Sequence, residues 1–288
     1  MDNNYLKKIL IVQKSEISEH LFYKKIAKRQ KKDNNKKLLD HIADVELNHY
    51  NFWYNISNQH IKPNIIKVYF YYLIVLLFGL TFGVRLMEKK QKKIKLLYLE
   101  LNQKIEGMEY IINDENEHEK MHIDEIDEER LKYIGSIVLG LNDALVEFTG
   151  AIAGFTFALS NTNLIALSGI IAGISASLSM ASSEYLSTKQ DTNHRFALIS
   201  AFYTGTAYII AVILMILPYL LFNNLIISLS TMLIIVIVII FIFNYYISIA
   251  KELSFKKRFS EMIIISLGVA TLSFLIGLFV RSVLDVEI

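Results

Sequence analysis

Apolar and polar positions divide this 288-residue chain into two unlike halves. After residue 132 five apolar runs, roughly 134–160, 163–186, 196–221, 224–250 and 260–283, each reach the length of about 20 residues that a membrane-spanning helix needs. Short polar separators lie between them: Ser160-Asn161-Thr162-Asn163, residues 187–195, Asn223-Asn224 and residues 251–258. Before residue 131 the pattern predicts helices over about 5–32, 36–58, 66–104 and 106–126, with a turn at Lys62-Pro63-Asn64 and Gly107 between the last two. The fold class is therefore all-α, with a soluble helical domain over 1–131 and a five-span membrane domain over 132–288. Residues 68–87 cut across this division, because they are nearly all apolar apart from Arg85. Hydropathy alone makes them a span; we expect instead a partly interfacial third helix of the soluble domain, its apolarity explained by attachment close to the bilayer.

Composition supports the division. The chain is 53% hydrophobic and 20% charged, against about 45–50% and 25% in ordinary soluble domains. Residues 1–131 hold 22 of the 30 Lys+Arg and 20 of the 28 Asp+Glu, so the first half can fold in water and the second is too poor in charge to do so. Charge is nearly balanced in both halves, which argues against a nucleic-acid partner. The absence of Cys excludes disulfides, Fe–S clusters and thiolate zinc sites. No signal peptide is visible, so the first half is expected in the cytoplasm. Lys189 and Arg195 fall in the second membrane loop, and Lys251, Lys256, Lys257 and Arg258 in the fourth. The positive-inside rule makes those loops cytoplasmic and puts the C-terminus outside the plasma membrane.

Carboxylates inside the apolar runs carry the candidate chemistry. Asp143 and Glu147 lie four apart on one face of the first span, as do Met180 and Glu184 near the cytoplasmic end of the second. An ionised carboxylate in hydrocarbon costs on the order of 2.5–3.5 kcal/mol by insertion scales, so such groups persist mainly beside a cavity and a cation. Carboxylate oxygens with a thioether suit Fe²⁺ or Mn²⁺, and protons compete with metal for the same oxygens. The two Gly-x-x-x-Gly spacings, Gly150/Gly154 and Gly169/Gly173, allow close helix packing. Gly140-Leu141-Asn142-Asp143-Ala144-Leu145-Val146-Glu147 and Ser179-Met180-Ala181-Ser182-Ser183-Glu184-Tyr185-Leu186-Ser187 closely resemble the vacuolar iron transporter family. The resemblance covers about residues 130–288. It implies a five-helix homodimer that passes metal out of the cytoplasm in exchange for protons, with Asp143 and Met180 lining the path and Glu147 and Glu184 assisting. Some members collect metal on a long insert between the second and third spans. Here that loop has only about nine residues.

The soluble half offers a replacement. Glu46-Leu47-Asn48-His49 and Glu115-Asn116-Glu117-His118 are both Glu-x-x-His, a spacing that puts both side chains on one helical face. Two helices giving such pairs and two giving single Glu residues build the di-iron centre of carboxylate bundles. Residues 10–126 resemble a rubrerythrin- or ferritin-like four-helix bundle, of the type fused to iron-transporter domains in membrane-bound ferritins. The family places a Glu seven residues before a Tyr. Glu16 and Tyr23 match on the first helix, but ahead of Tyr98 position 91 is Gln. Either Glu88, one turn earlier, replaces Gln91, or the site holds a single metal; Glu119 and His122 could also shift the ligand choice on the fourth helix. The basic tract over residues 24–37 and the acidic residues Asp124, Glu125, Asp127, Glu128 and Glu129 read as solvated helix ends, or as contacts with anionic lipid and with passing cations respectively.

The expectation is thus a transporter, not an enzyme, whose partners are Fe²⁺ or Mn²⁺, protons, the lipid bilayer and a second copy of itself. Glu16, Glu46, His49, Glu115 and His118, with Glu88 or Gln91, would collect metal. Glu184, Met180, Asp143 and Glu147 would pass it. The rival reading is a membrane-anchored di-iron oxidase or peroxidase of rubrerythrin type.

Overall fold

The computed structural model describes residues 3–89, 92–102, 105, 108–109, 111–114, 126, 128 and 132–284. The chain divides into two compact units, residues 1–128 and 129–288. All regular structure among the described residues is helical.

In the first unit α1 (Asn3–Ala27) and α2 (Asp33–Ser57) run antiparallel. Ser57 Oγ donates to Gln13 Oε1 at 2.8 Å, His20 Nδ1 lies 2.7 Å from the Ala43 carbonyl, and Lys24 pairs with Asp40 and Asp44 at 3.1 and 2.9 Å. Asn58 ends α2 in the left-handed conformation, where Asn is tolerated, and the turn through Pro63 leads to Asn64, whose side chain accepts from the Lys67 amide.

The single third helix expected over 66–104 is not what forms. Instead α3 (Ile65–Phe78), α4 (Leu80–Lys89) and α5 (Lys92–Asn102) follow one another. The Asn64 amide donates to Ser18 Oγ at 2.8 Å, Tyr71 meets Phe22 edge-on, and Arg29 Nη1 donates to Tyr72 OH at 3.1 Å, so α3 runs parallel to α1. Tyr23 OH then donates to Glu88 Oε1 at 3.4 Å, Tyr98 meets Glu16, and Tyr5 OH donates to the Leu101 carbonyl at 3.2 Å, so α4 and α5 return antiparallel to α1. The reversal happens at Gly79, whose φ of +102° is open to glycine and strained for side-chain-bearing residues. Glu128 receives the amides of Leu80 and Thr81 at 3.2 and 2.8 Å and so caps the start of α4. At 1.5 Å per residue α3 is about 21 Å long, short of the ~30 Å hydrocarbon layer. The apolar run over 68–87 is therefore two helices folded back on each other.

The second unit has five helices long and apolar enough to cross a membrane: α6 (Ile134–Leu159), α7 (Thr162–Asp191), α8 (His194–Leu221), α9 (Leu225–Ala250) and α10 (Phe255–Leu284). Three of the four polar separators supply helix caps. Asn161, Asn193 and Asn224 each accept a hydrogen bond from backbone amides of the helix that follows, at 2.8–3.1 Å. The core lies between α6 and α8, around Phe148, Ile152, Tyr208, Val212 and Met215, closed by Ile165 of α7 and Val236 of α9. The first Gly-x-x-x-Gly seats α6 on α10, where a Cβ on Gly277 would lie 2.9 Å from the Gly154 carbonyl oxygen. The second, at Gly173, admits Val212 of α8. Isoleucines and phenylalanines of α9 such as Ile226, Phe241 and Ile242 point outward, as a lipid-facing wall requires.

Candidate metal centres

In the first unit α1 and α2 bring Glu16, Glu46 and His49 together. One ligand atom from each lies within 4.8 Å of the others, and all three side chains are buried. His49 Nδ1 stands 3.8 Å from Glu16 Oε2 and 3.7 Å from Glu46 Oε2. Below them Trp53 stacks on Tyr98, whose hydroxyl donates to Glu16. Burial alone would push the Glu16 carboxyl up, but the His49 ring, Glu46 and the Tyr98 phenol outweigh it and hold it below the ordinary carboxylate value. Two buried carboxylates and a buried imidazole form a donor set for a divalent cation, which would neutralise the buried negative charge.

The other ring nitrogen of His49 reaches Asp114 Oδ2 at 3.4 Å. With Nδ1 turned to the carboxylates, Nε2–H points at Asp114, the arrangement by which an outer carboxylate orients a ligating histidine. Sequence reasoning missed Asp114, because an Asp beside Glu115 in an acidic stretch carries no distinguishing spacing. Glu88 is joined to Tyr23 while Tyr98 is joined to Glu16. Each tyrosine thus reaches a carboxylate on the other helix, while Glu88 itself lies outside the group formed by Glu16, Glu46 and His49. Gln91, Glu115 and His118, and with them Glu119 and His122, lie outside the described residues, as do Asp124, Glu125, Asp127 and Glu129.

In the second unit the four candidate residues form a ladder rather than one cluster. Ser136 Oγ of α6 donates to Glu184 Oε1 of α7 at 2.7 Å. Asp143 lies seven residues further along α6, about 10 Å at helical rise. Met180, one turn from Glu184 on α7, packs partly buried against the core between these levels. Beyond Asp143 the helix widens into a π-turn, Ala144–Phe148, which holds Glu147; such turns concentrate at functional sites. The Asp143 and Glu147 side chains are close enough to interact electrostatically. Asp143 is half-buried, whereas Glu147 is exposed on the surface of the single chain.

Helix α8 supplies a polar stripe that the sequence reading passed over, although Ser200, Thr204 and Tyr208 recur every four residues. Thr204 Oγ1 donates to the carbonyls of Ser136 and Ser200 at 3.0 and 3.1 Å. A Cβ on Gly140 would stand 2.3 Å from the Thr204 carbonyl oxygen, so α6 and α8 touch backbone to backbone one turn before Asp143. One turn on, Tyr208 is fully buried and electrostatically linked to both Glu147 and Asp143, and its hydroxyl has no hydrogen-bond partner among the described residues.

No curated protein and no solved structure matches the chain. The model of the VIT family matches residues 134–199, the stretch that carries Asp143, Glu147, Met180 and Glu184, and it supports the resemblance of the membrane unit to vacuolar iron transporters, a family of membrane metal transporters.

Proposed function

We propose that the chain exports Fe²⁺ or Mn²⁺ from the cytoplasm across the plasma membrane in exchange for protons, and that its first unit, a ferritin-like bundle, collects the metal. The observation that carries this reading is the carboxyl pair Asp143/Glu147, held at a π-turn inside a membrane-spanning helix beside the buried Tyr208 phenol. Two carboxyls within reach of each other can share a proton, and a dication arriving between them displaces it. Uptake of metal from one side and return of protons from the other then follow from competition for the same oxygens.

Metal gathered on Glu16, Glu46 and His49 is released to Glu184 and Met180 at the cytoplasmic end, moves to Asp143 and Glu147, and leaves on the far side. Glu147 lies on an exposed flank of a hydrocarbon-spanning helix, a costly place for an acid facing lipid. A second copy packed on that flank would enclose it, which supports a homodimer with the path along its interface. The basic loops around Lys189, Arg195 and residues 256–258 support cytoplasmic placement of the first unit, with the C-terminus outside.

Reconstituted vesicles test this directly. Asp143→Ala is expected to abolish uptake of Fe²⁺, Mn²⁺ and Co²⁺ across a pH gradient while the first unit still binds metal; full transport by that variant refutes the mechanism. Metal-dependent consumption of oxygen or peroxide with no flux would favour the rival, a membrane-anchored oxidase of rubrerythrin type, which has no use for intramembrane acids.

A further inference from the structure

The outer face of α3 lies open although it is almost wholly apolar. Val68 and Tyr71 turn inward against the bundle, while Ile66 is 84% exposed, Leu77 62%, Phe70 57% and Leu73 53%, with Ile65, Tyr69 and Phe78 beside them. Positions 66, 69, 70, 73 and 77 follow helical spacing, so the exposed residues form one stripe along the helix. A soluble surface seldom leaves such a patch uncovered without a partner.

The basic tract borders this stripe. Lys25 Nζ stands 3.9 Å above the Tyr69 ring and 4.9 Å from that of Tyr72, and Arg29 donates to the Tyr72 hydroxyl. Lys28, Lys31, Lys32, Lys36 and Lys37 continue the tract, all exposed. An apolar stripe, with tyrosines that carry Lys25 and Arg29 beside it and further exposed lysines next in the chain, supplies the three chemistries of a bilayer surface: acyl boundary, interface and anionic headgroups.

We infer that α3 is an in-plane membrane anchor, which docks the first unit on the anionic surface of a phospholipid bilayer. Its length of about 21 Å is too short to cross the hydrocarbon, so the helix lies along the interface with its stripe inserted. A second copy is the less fitting occupant, because a twofold contact centred on α3 would bring the basic tract against itself. Since the same chain carries five spanning helices, a bilayer is always within reach, and weak anchoring suffices to hold the unit down. Docking of this kind would keep the unit beside the membrane irrespective of its metal content.

The chain contains no Cys, so single labels report cleanly. Ile66→Cys, Leu73→Cys and Leu77→Cys, with Asn48→Cys on the exposed side of α2 as control, are labelled with an environment-sensitive fluorophore in the full chain. Each is reconstituted in nanodiscs of phosphatidylcholine with or without phosphatidylglycerol. The three α3 labels are expected to be quenched in the anionic discs, more by a nitroxide near the headgroup than by one at the acyl end, and the control left unquenched. Replacing Lys28, Lys31 or Lys36 by Gln should lower the ratio of docked to undocked protein by about fivefold per lost cation, equivalent to about 1 kcal/mol. The buried Trp53, the one tryptophan of the chain, reports by its fluorescence that each variant keeps its fold. Three results overturn the inference: α3 labels unquenched in anionic discs, quenching that ignores both lipid charge and the Lys replacements, or disulfide cross-links between copies through the α3 cysteines without quenching.

Discussion

Replacing Gly140 by Ala adds one methyl group at the point where α6 and α8 cross. Its carbon would stand 2.3 Å from the Thr204 carbonyl oxygen and 3.2 Å from the Thr204 Cα, while ordinary contact begins at 3.4 Å. Both neighbours are backbone, so no rotamer change relieves the clash, and the helices must part by about 1 Å. Overpacking of this kind costs about 1–3 kcal/mol. Parting the helices also weakens the bond from Thr204 to the Ser136 carbonyl, worth up to about 1 kcal/mol, although Thr204 keeps its bond to Ser200. A destabilisation of about 1–4 kcal/mol is therefore expected. Gly135→Ala provides the control on the same helix, since an added Cβ there meets nothing within 4 Å. It should be neutral or stabilising by up to about 1 kcal/mol through helix propensity. Equilibrium unfolding in mixed micelles reads the difference, and vesicle uptake reads its functional consequence. Because the crossing sits one turn before Asp143, separation also draws Tyr208 away from the acid pair, and Gly140→Ala should transport poorly even where it is folded. Equal stability and equal transport of the two variants would refute the crossing as the element that positions the acids.

Three further outcomes are expected. Glu46→Ala combined with His49→Ala should raise the metal concentration for half-maximal flux by at least about tenfold, since even outer-sphere losses cost that much in affinity, and leave flux at saturating metal intact; isothermal titration and vesicle uptake separate the two effects. Glu16 has a folded-state value held below the ordinary 4.5, so its ionised form contributes stability above that pH, and the contribution is lost as pH falls through the lower folded value. The melting temperatures of metal-free wild type and Glu16→Gln should therefore converge on acidification below pH 4.5, and a gap that stays constant or widens contradicts the assignment. Tyr208→Phe removes a buried hydroxyl that has no hydrogen-bond partner among the described residues, so stability should hold or rise. Transport should nevertheless fall, and an unchanged rate would reduce Tyr208 to packing.

Much of the architecture was legible because it rests on quantities that a linear pattern carries. Apolar length sets the spanning helices, and Asn161, Asn193 and Asn224 mark the caps between them because a short side chain can bond the free amides of the next turn. The spacing of Glu46 and His49 put both on one face before any contact was known, and the burial of Glu16 beside them agrees with its place on the first helix. Asp143 and Glu147 stood out by the cost of an acid in hydrocarbon.

Tertiary structure alone decided the rest. Residues 68–87 are nearly all apolar apart from Arg85, so no periodicity marks where the chain turns. The reversal depends on Gly79 taking a left-handed backbone and on Glu128, far along the chain, capping the helix that follows. Asp114 acquires a role only through its position against His49, and Tyr208 only because Gly140 lets α8 press against α6. Local pattern encodes what one helix needs for itself: length, caps and an inward face. Which polar atoms meet across helices depends on packing between residues distant in sequence, and that information has no period along the chain.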